Sequence, residues 1–378
     1  MKKKVAFYVN GLYGGGAEKV LQTLLRFLDY NKFEVTLYSV LQEKAGDEYP
    51  TNIDYKYIYG STEGKSFVSR LLTLCRNRFG LWIYDHCSPS LFYRLFVNGQ
   101  YDVEVAFIEG YATRIVSGST NPDSKKIAWV HIDLDSNHWT DICYHSFDEE
   151  KRCYLQFDHV VAVSEFVRKV NERIFPGIKG SCTLYNPIDS AEIIQKSKEV
   201  IFEPHETIRL VSSGRFTHQK AFDRLLRIVK RLKDEHYPVE LWLLGDGILR
   251  SELETFISEN GMEDYVSLLG FQSNPYKYLN ACDLFVCSSI AEGFSTVITE
   301  ALILGLPVVS TEVSGVREQL GKNCEYGLIT ENSEIALFEG VKQLLDNQEQ
   351  FLYYQKMASN RGKQFEINSL MAEIENKL

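Results

Sequence analysis

Short apolar runs alternate along this chain with longer stretches in which apolar residues recur every three or four positions. Residues 5–9, 35–40, 103–108, 127–130 and 160–163 predict strands in the first half. Residues 208–211, 239–244, 265–269, 284–286 and 307–309 repeat the theme in the second. Between them, Ala17, Val20, Leu21, Leu24, Leu25 and Leu28 share one helical face, as do Phe222, Leu225, Leu226, Val229 and Leu232. Strands separated by helices call for parallel sheets with right-handed crossovers, so each half is expected to be a doubly wound, Rossmann-like α/β domain. The boundary falls after Asn186-Pro187-Ile188-Asp189, where proline breaks the chain and a polar stretch runs to Glu206. The domains are therefore expected over 1–188 and 189–364. Two such domains leave a central cleft between the carboxyl ends of their sheets, where ligands bind in this architecture.

A length of 378 residues suits two domains, and 44% hydrophobic with 24% charged residues excludes disorder and coiled coil. The formal charge of −10 argues against nucleic acid as a partner. Residues 1–190 hold 22 basic and 23 acidic side chains against 19 and 28 in the remainder, so the first half is near neutral. The eight cysteines form no Cys-x-x-Cys pair, which excludes a zinc ribbon and a thioredoxin motif and predicts reduced thiols. Only five apolar residues follow Met1-Lys-Lys-Lys, and no stretch approaches the ~20 needed to span a bilayer. The expected location is the cytoplasm, or the inner face of the cell membrane as a peripheral protein.

Candidate chemistry gathers where predicted strands end. Gly14-Gly15-Gly16-Ala17-Glu18 follows the first strand and opens the first helix, where glycines let backbone N–H groups approach a ligand. A dinucleotide fingerprint fails there, because Lys19 takes the third glycine position and the second strand ends in Ser39-Val40. Gly64-Lys65-Ser66 misses the P-loop spacing by one residue. Asp133 and Asp135, flanked by His131 and His138, read better as a polar loop than as a metal cluster. His131 ends its own strand and is a candidate substrate contact.

Gly214-Arg215-Phe-Thr-His-Gln-Lys220 follows the first strand of the second domain and supplies a guanidinium fork and an ammonium, a pair suited to a diphosphate. In the segment 288–301, Gly293 permits a turn and Ser295 or Thr296 starts a helix expected to carry Val297, Ala301 and Leu304 inward. Glu292 precedes that helix and Glu300 lies one turn into it. The N–H groups of residues 293–296 offer an anion site with a carboxylate on either side, a pattern that fits a nucleotide sugar.

Glu292-x7-Glu300, Gly214-Arg215 with Lys220, Gly245-Asp246-Gly247, Asn186-Pro187-Ile188-Asp189 and the N-terminal Gly-Gly-Ala-Glu together resemble a retaining glycosyltransferase of family four, with the GT-B fold and surface-polysaccharide-like in kind. The resemblance covers nearly the whole chain. It implies that Glu292 holds donor-sugar hydroxyls and Glu300 the ribose. Arg215 and Lys220 clamp the diphosphate with the amides around Phe294, Ser295 and Thr296. Gly270 and Phe271 meet the base, His131 touches the sugar near its reacting carbon, and Gly15 and Gly16 face acceptor and phosphates. Gly214 and Gly245 shape the donor loops. It further implies no metal and no other cofactor, and a final helix, 365–378, that returns to the first domain. Ala221 departs from the family's usual glycine, with little expected consequence at a helix start.

The expected activity is therefore retaining transfer of a hexose or N-acetylhexosamine from a nucleotide-diphosphate sugar, with UDP favoured by family habit. The acceptor is a hydroxyl of a glycan or lipid-linked molecule, in surface polysaccharide synthesis. The alternatives are a non-catalytic partner of an active homologue and a nucleotide-sugar epimerase. The stretch 65–84, with Arg70, Arg76, Arg78 and Trp82 and no acid before Asp85, allows two readings. It can lie on an anionic membrane, or pack Phe67, Leu71, Leu74 and Phe79 on the core.

Overall fold

A computed structural model describes residues 2–12, 15–43, 49–199 and 206–378. Gly14 of the first glycine cluster and residues 200–205 of the polar stretch lie outside the described residues. The chain divides into two compact units, Met1–Pro187 with Asn368–Leu378, and Ile188–Ile367.

The first unit holds a sheet of β1 (Lys3–Val9), β2 (Phe33–Leu41), β3 (Asp54–Tyr59), β4 (Val103–Ala106), β5 (Lys125–Val130), β6 (His159–Ala162) and β7 (Cys182–Thr183), ordered β3-β2-β1-β4-β5-β6-β7. The second holds β8 (Ile208–Ser213), β9 (Val239–Leu244), β10 (Val266–Gly270), β11 (Leu284–Cys287), β12 (Val308–Thr311) and β13 (Leu328–Thr330), ordered β10-β9-β8-β11-β12-β13. Every pairing is parallel; Val5, for example, faces Val35 on one side and Val103 on the other. Such strands are buried on both faces, which is why most read as continuous apolar runs. Strand order reverses between β1 and β4 in the first sheet and between β8 and β11 in the second. Loops leaving the carboxyl ends of those four strands diverge and open room for a ligand.

The helix Gly16–Phe27 buries Val20, Leu21, Leu24 and Leu25, and the helix Phe222–Asp234 buries all five residues of its apolar face. The helix Ile367–Lys377 belongs to the first unit, burying Met371 and Ile374. Glu375 accepts from the Asp29 N–H at 3.0 Å and pairs with Lys32 at 2.8 Å, while the Lys125 ammonium bonds the Lys377 carbonyl. The eight cysteines, all among the described residues, form no disulfide.

The helix Phe67–His86 corrects one of the two readings of the 65–84 stretch. It packs through Gly80, Ile83 and Tyr84. Phe67, Leu71, Leu74 and Phe79 are instead 81%, 52%, 43% and 52% exposed. A Cβ on Gly80 would lie 2.8 Å from the Tyr59 ring, so the close approach is made at a glycine, with Ile83 and Tyr84 one turn on. No helix among the described residues is long and apolar enough to cross a membrane.

Candidate active site

In the second unit, the loops leaving β8 and β11 are stitched together. The Gln219 carbonyl accepts from the Ile290 N–H at 2.7 Å, and its side-chain amide donates to the Ala291 carbonyl at 2.9 Å. The Ser288 hydroxyl donates to the Lys220 carbonyl at 2.8 Å. These bonds bring the Lys220 ammonium to 2.6 Å from Glu292 Oε1, which also accepts from the Ser289 hydroxyl at 2.6 Å. Burial acts to discharge Lys220, but Glu292 and the Cys287 thiol outweigh it and its pKa is raised. The lysine therefore remains a cation. The exposed Arg215 is close enough for its charge to act on Lys220 in the opposite direction. Two cations and a buried carboxylate thus meet at the second sheet's reversal point.

The loop after β9 presses against the loop after β8. Gly245 lies at φ +135°, and a Cβ there would fall 1.9 Å from the Gly214 carbonyl oxygen. The Phe216 N–H donates to the Asp246 carbonyl at 2.9 Å, and the Gly245 N–H to the Gly270 carbonyl at 2.8 Å. Gly214, Gly245 and Gly270 therefore come together through backbone. Phe271, next in sequence, is 79% exposed, an aromatic face beside these loops.

Ala221 is left-handed, at φ 48° and ψ 47°, where the chain passes from the short turn His218–Lys220 into the helix Phe222–Asp234. This position has a consequence the sequence did not suggest. A left-handed alanine costs roughly 1–2 kcal/mol, partly offset by the entropy a glycine would lose on folding. Ala221→Gly is expected to stabilise by up to about 1 kcal/mol, or ~2–4 °C in Tm, with activity retained. An unchanged or lower Tm in a thermal melt would contradict it.

Glu292 sits in the loop before the helix Thr296–Ile303, as expected, and both Glu292 and Glu300 are buried. The helix turns Ile298, Ala301 and Leu302 inward, while Val297 and Leu304 are only half-buried. Its start is clamped. Gln319 donates to the Ser295 carbonyl at 2.7 Å and the Thr299 hydroxyl at 2.8 Å, and a Cβ on Gly315 would meet the Gly293 carbonyl at 2.5 Å. Phe294 and Ser295 are buried, Thr296 is half-buried, and the Ser295 hydroxyl is buried without a hydrogen-bond partner.

In the first unit, Gly15 precedes the helix Gly16–Phe27 without a side-chain cap. His131 follows β5, its ring centroid 4.9 Å from that of Phe107. Burial holds its imidazole down to a pKa of about 4, a backbone hydrogen bond with Phe107 opposing the shift, so it is neutral near pH 7. Its Nε2 is buried with no hydrogen-bond partner. Asp133 caps its own turn, accepting from the Asp135 N–H at 3.0 Å and the Ser136 hydroxyl at 2.5 Å. His138 turns instead to Glu150, at 2.7 Å. Among the described residues, His138, Asp141 and Glu150 are a group whose ligand atoms lie within 4.8 Å of one another, and the His138–Glu150 distance is that of an ordinary hydrogen bond. Sequence reasoning missed the roles of Gln219 and Ser289, although each stands within a few residues of a site already singled out, and it missed Glu109, which stands 22 residues before His131.

Residues 193–364 match the family model for glycosyl transferases group 1. Across 96% of both chains, the protein is 31% identical to a Campylobacter jejuni N-acetylgalactosamine-N,N'-diacetylbacillosaminyl-diphospho-undecaprenol 4-alpha-N-acetylgalactosaminyltransferase. Its fold is similar to that of Anabaena HepE in complex with UDP and glucose, at a TM-score of 0.74 and 17% identity over 99% of this chain and 98% of that one. It is equally similar to sucrose-phosphate synthase from Thermosynechococcus elongatus, at a TM-score of 0.75 and 14% identity with the same coverage. The paired parallel sheets are those of the GT-B fold, and the chain belongs to the group 1 glycosyltransferases.

Proposed function

We propose that this glycosyltransferase moves a hexose or N-acetylhexosamine from a UDP-sugar to a hydroxyl of a lipid-linked glycan, with retention at the anomeric carbon, in surface polysaccharide synthesis. The observation that carries this reading is the Lys220–Glu292 pair beside Arg215 and the amino end of the Thr296–Ile303 helix. In the proposed scheme Lys220, Arg215 and the amides near Phe294, Ser295 and Thr296 take the diphosphate. Glu292 takes sugar hydroxyls, Glu300 the ribose, and the Gly270–Phe271 turn the base. Breaking the glycosidic bond places negative charge on phosphate oxygens and leaves an oxocarbenium-like sugar. Fixed cations and helix-end amides stabilise that charge as it develops, and we propose that they do so without a metal ion. His131, being neutral, serves as a hydrogen-bond partner for a sugar hydroxyl rather than as an acid. Same-face attack then passes the acceptor's proton to the departing phosphate.

The donor reading is supported by the UDP named for HepE, and the acceptor reading by the undecaprenol-linked substrate named for the Campylobacter relative. The first unit is proposed to take the acceptor and the second the donor. A panel of UDP-, GDP- and ADP-sugars, offered to the purified protein with an undecaprenyl-diphosphate-linked sugar acceptor, tests the scheme. Turnover of one UDP-sugar is expected, and turnover of a GDP- or ADP-sugar instead overturns the donor assignment.

The exposed face of the Phe67–His86 helix is proposed to rest on anionic membrane. Phe67, Leu71, Leu74 and Trp82 repeat at helical spacing on that face, with Arg70 and Arg78 exposed among them. Arg76 is otherwise engaged, donating to the Ile58 carbonyl at 2.8 Å. Apolar side chains with interspersed cations match the interface of an anionic bilayer. Wild type is expected to float with vesicles containing phosphatidylglycerol, and Arg70→Glu/Arg78→Glu to stay behind. Equal flotation of the two sinks the docking reading.

A further inference from the structure

Glu109 stands three residues past β4, beside Asn10 at the end of β1, at the reversal point of the first sheet. This is the counterpart of the place that Lys220 and Glu292 hold in the second. The side chain is buried, at 4% exposure. Both carboxylate oxygens are committed: Oε2 accepts from the His131 backbone N–H at 2.9 Å, and Oε1 from the Trp139 indole N–H at 3.2 Å.

The turn that carries Glu109 is fixed from several sides. Asn10, at the end of β1, donates to the Glu109 carbonyl at 3.2 Å and accepts from the Ala112 N–H at 3.2 Å. Gly110 lies at φ +86°, and a Cβ there would meet Cys143 Sγ at 2.9 Å and the Trp139 ring at 3.0 Å. The Tyr144 hydroxyl donates to the Gly110 carbonyl at 3.2 Å. His131 is thus gripped through its backbone while its ring rests on Phe107 and its Nε2 stays buried and unpartnered.

Stability alone does not explain a carboxylate here. Burying one is costly even when it is hydrogen-bonded, and a glutamine would present one acceptor at lower cost. Burial raises the Glu109 pKa, the backbone N–H groups of His131 and of Glu109 itself and the Trp139 indole N–H oppose the rise, and the Glu18 carboxylate adds a smaller push upward. Groups kept in such surroundings are commonly functional.

We propose that Glu109 is a positioning residue for sugar transfer, holding the His131 backbone and the Trp139 loop together so that imidazole Nε2 is presented to a hydroxyl of the bound sugar. The inference rests on the function proposed above. It is tested in the full-length protein with Glu109→Gln, Trp139→Phe and their combination. Glu109→Gln keeps the side-chain volume but can accept from only one of the two donors. Its kcat is expected to fall about tenfold or more while donor KM stays within about threefold, because misplacement acts on the reacting geometry rather than on ground-state binding. Trp139→Phe is expected to cost less, and the double variant less than the product of the singles. Unchanged kcat in Glu109→Gln, or donor KM rising in step with the loss, overturns the proposal.

Imidazole NMR on histidine-labelled protein gives a readout that needs no turnover. The His131 resonances are expected to shift in Glu109→Gln and in Trp139→Phe while UDP binding persists, and unmoved resonances overturn the proposal. Wild-type turnover with an unimpaired Glu109→Gln refutes this inference alone. Shifted His131 resonances in a protein that transfers no sugar refute the function while sustaining the positioning.

Discussion

Lys220→Ala is expected to lower turnover and thermal stability together, whereas Arg215→Ala lowers turnover alone. The difference follows from burial. Glu292 is buried and its Oε1 holds the Lys220 ammonium at 2.6 Å, so removing the lysine leaves a carboxylate without its cation. Breaking a buried pair from one side costs ~3–5 kcal/mol, and the partial exposure of Lys220 places this one at about 3 kcal/mol. Arg215 is exposed, and the folded protein loses little with it. Both substitutions remove a cation proposed to take the diphosphate, and each is expected to cost roughly 10²–10³ in kcat. Adding Glu292→Gln to Lys220→Ala removes the stranded charge and is expected to recover part of the lost stability without recovering activity. Thermal melts beside initial rates check this. A Lys220→Ala protein as stable as wild type would mean that the pair is not formed in solution.

The second large effect is structural. Gly245→Ala places a methyl 1.9 Å from the Gly214 carbonyl oxygen, and the neighbour is backbone that cannot swing away. Overpacking and the positive φ together are expected to cost about 3–4 kcal/mol, with donor affinity lost as the loops after β8 and β9 separate. Gly261 is the control. It lies at φ +60° with nothing within 4 Å of a built Cβ, so Gly261→Ala is expected to cost only ~1 kcal/mol and to leave donor binding intact. Urea unfolding of the pair separates the two causes, and equal losses would refute the contact at Gly214.

The fold was legible where buried parallel strands leave continuous apolar runs. It was obscured at sheet edges. β3, Asp-Tyr-Lys-Tyr-Ile-Tyr, alternates charge and aromatic along an edge, and its period of two carried a signal that an apolar-run criterion passes over. β7 and β13 are two and three residues long and half-buried, too short for any periodicity. The candidate site residues were legible because they follow strand ends directly, as His131, Gly214 and Arg215 do. The pairing of Lys220 with Glu292 was not, because 72 residues separate them and only the adjacency of β8 and β11 joins their loops. Glu109 escaped for the same reason. Its partners, His131 and Trp139, lie 22 and 30 residues away across the β4–β5 connection.

The central claim is tested most directly by following one transfer reaction from a UDP-sugar of known anomeric configuration to an undecaprenyl-diphosphate-linked sugar acceptor. Mass spectrometry reads the added sugar, and the anomeric proton of the product reads the stereochemistry. The account predicts one sugar added, UDP released, the donor's α configuration kept in the product, and turnover lost in Arg215→Ala. An inverted product, or transfer undiminished by Arg215→Ala, would contradict it.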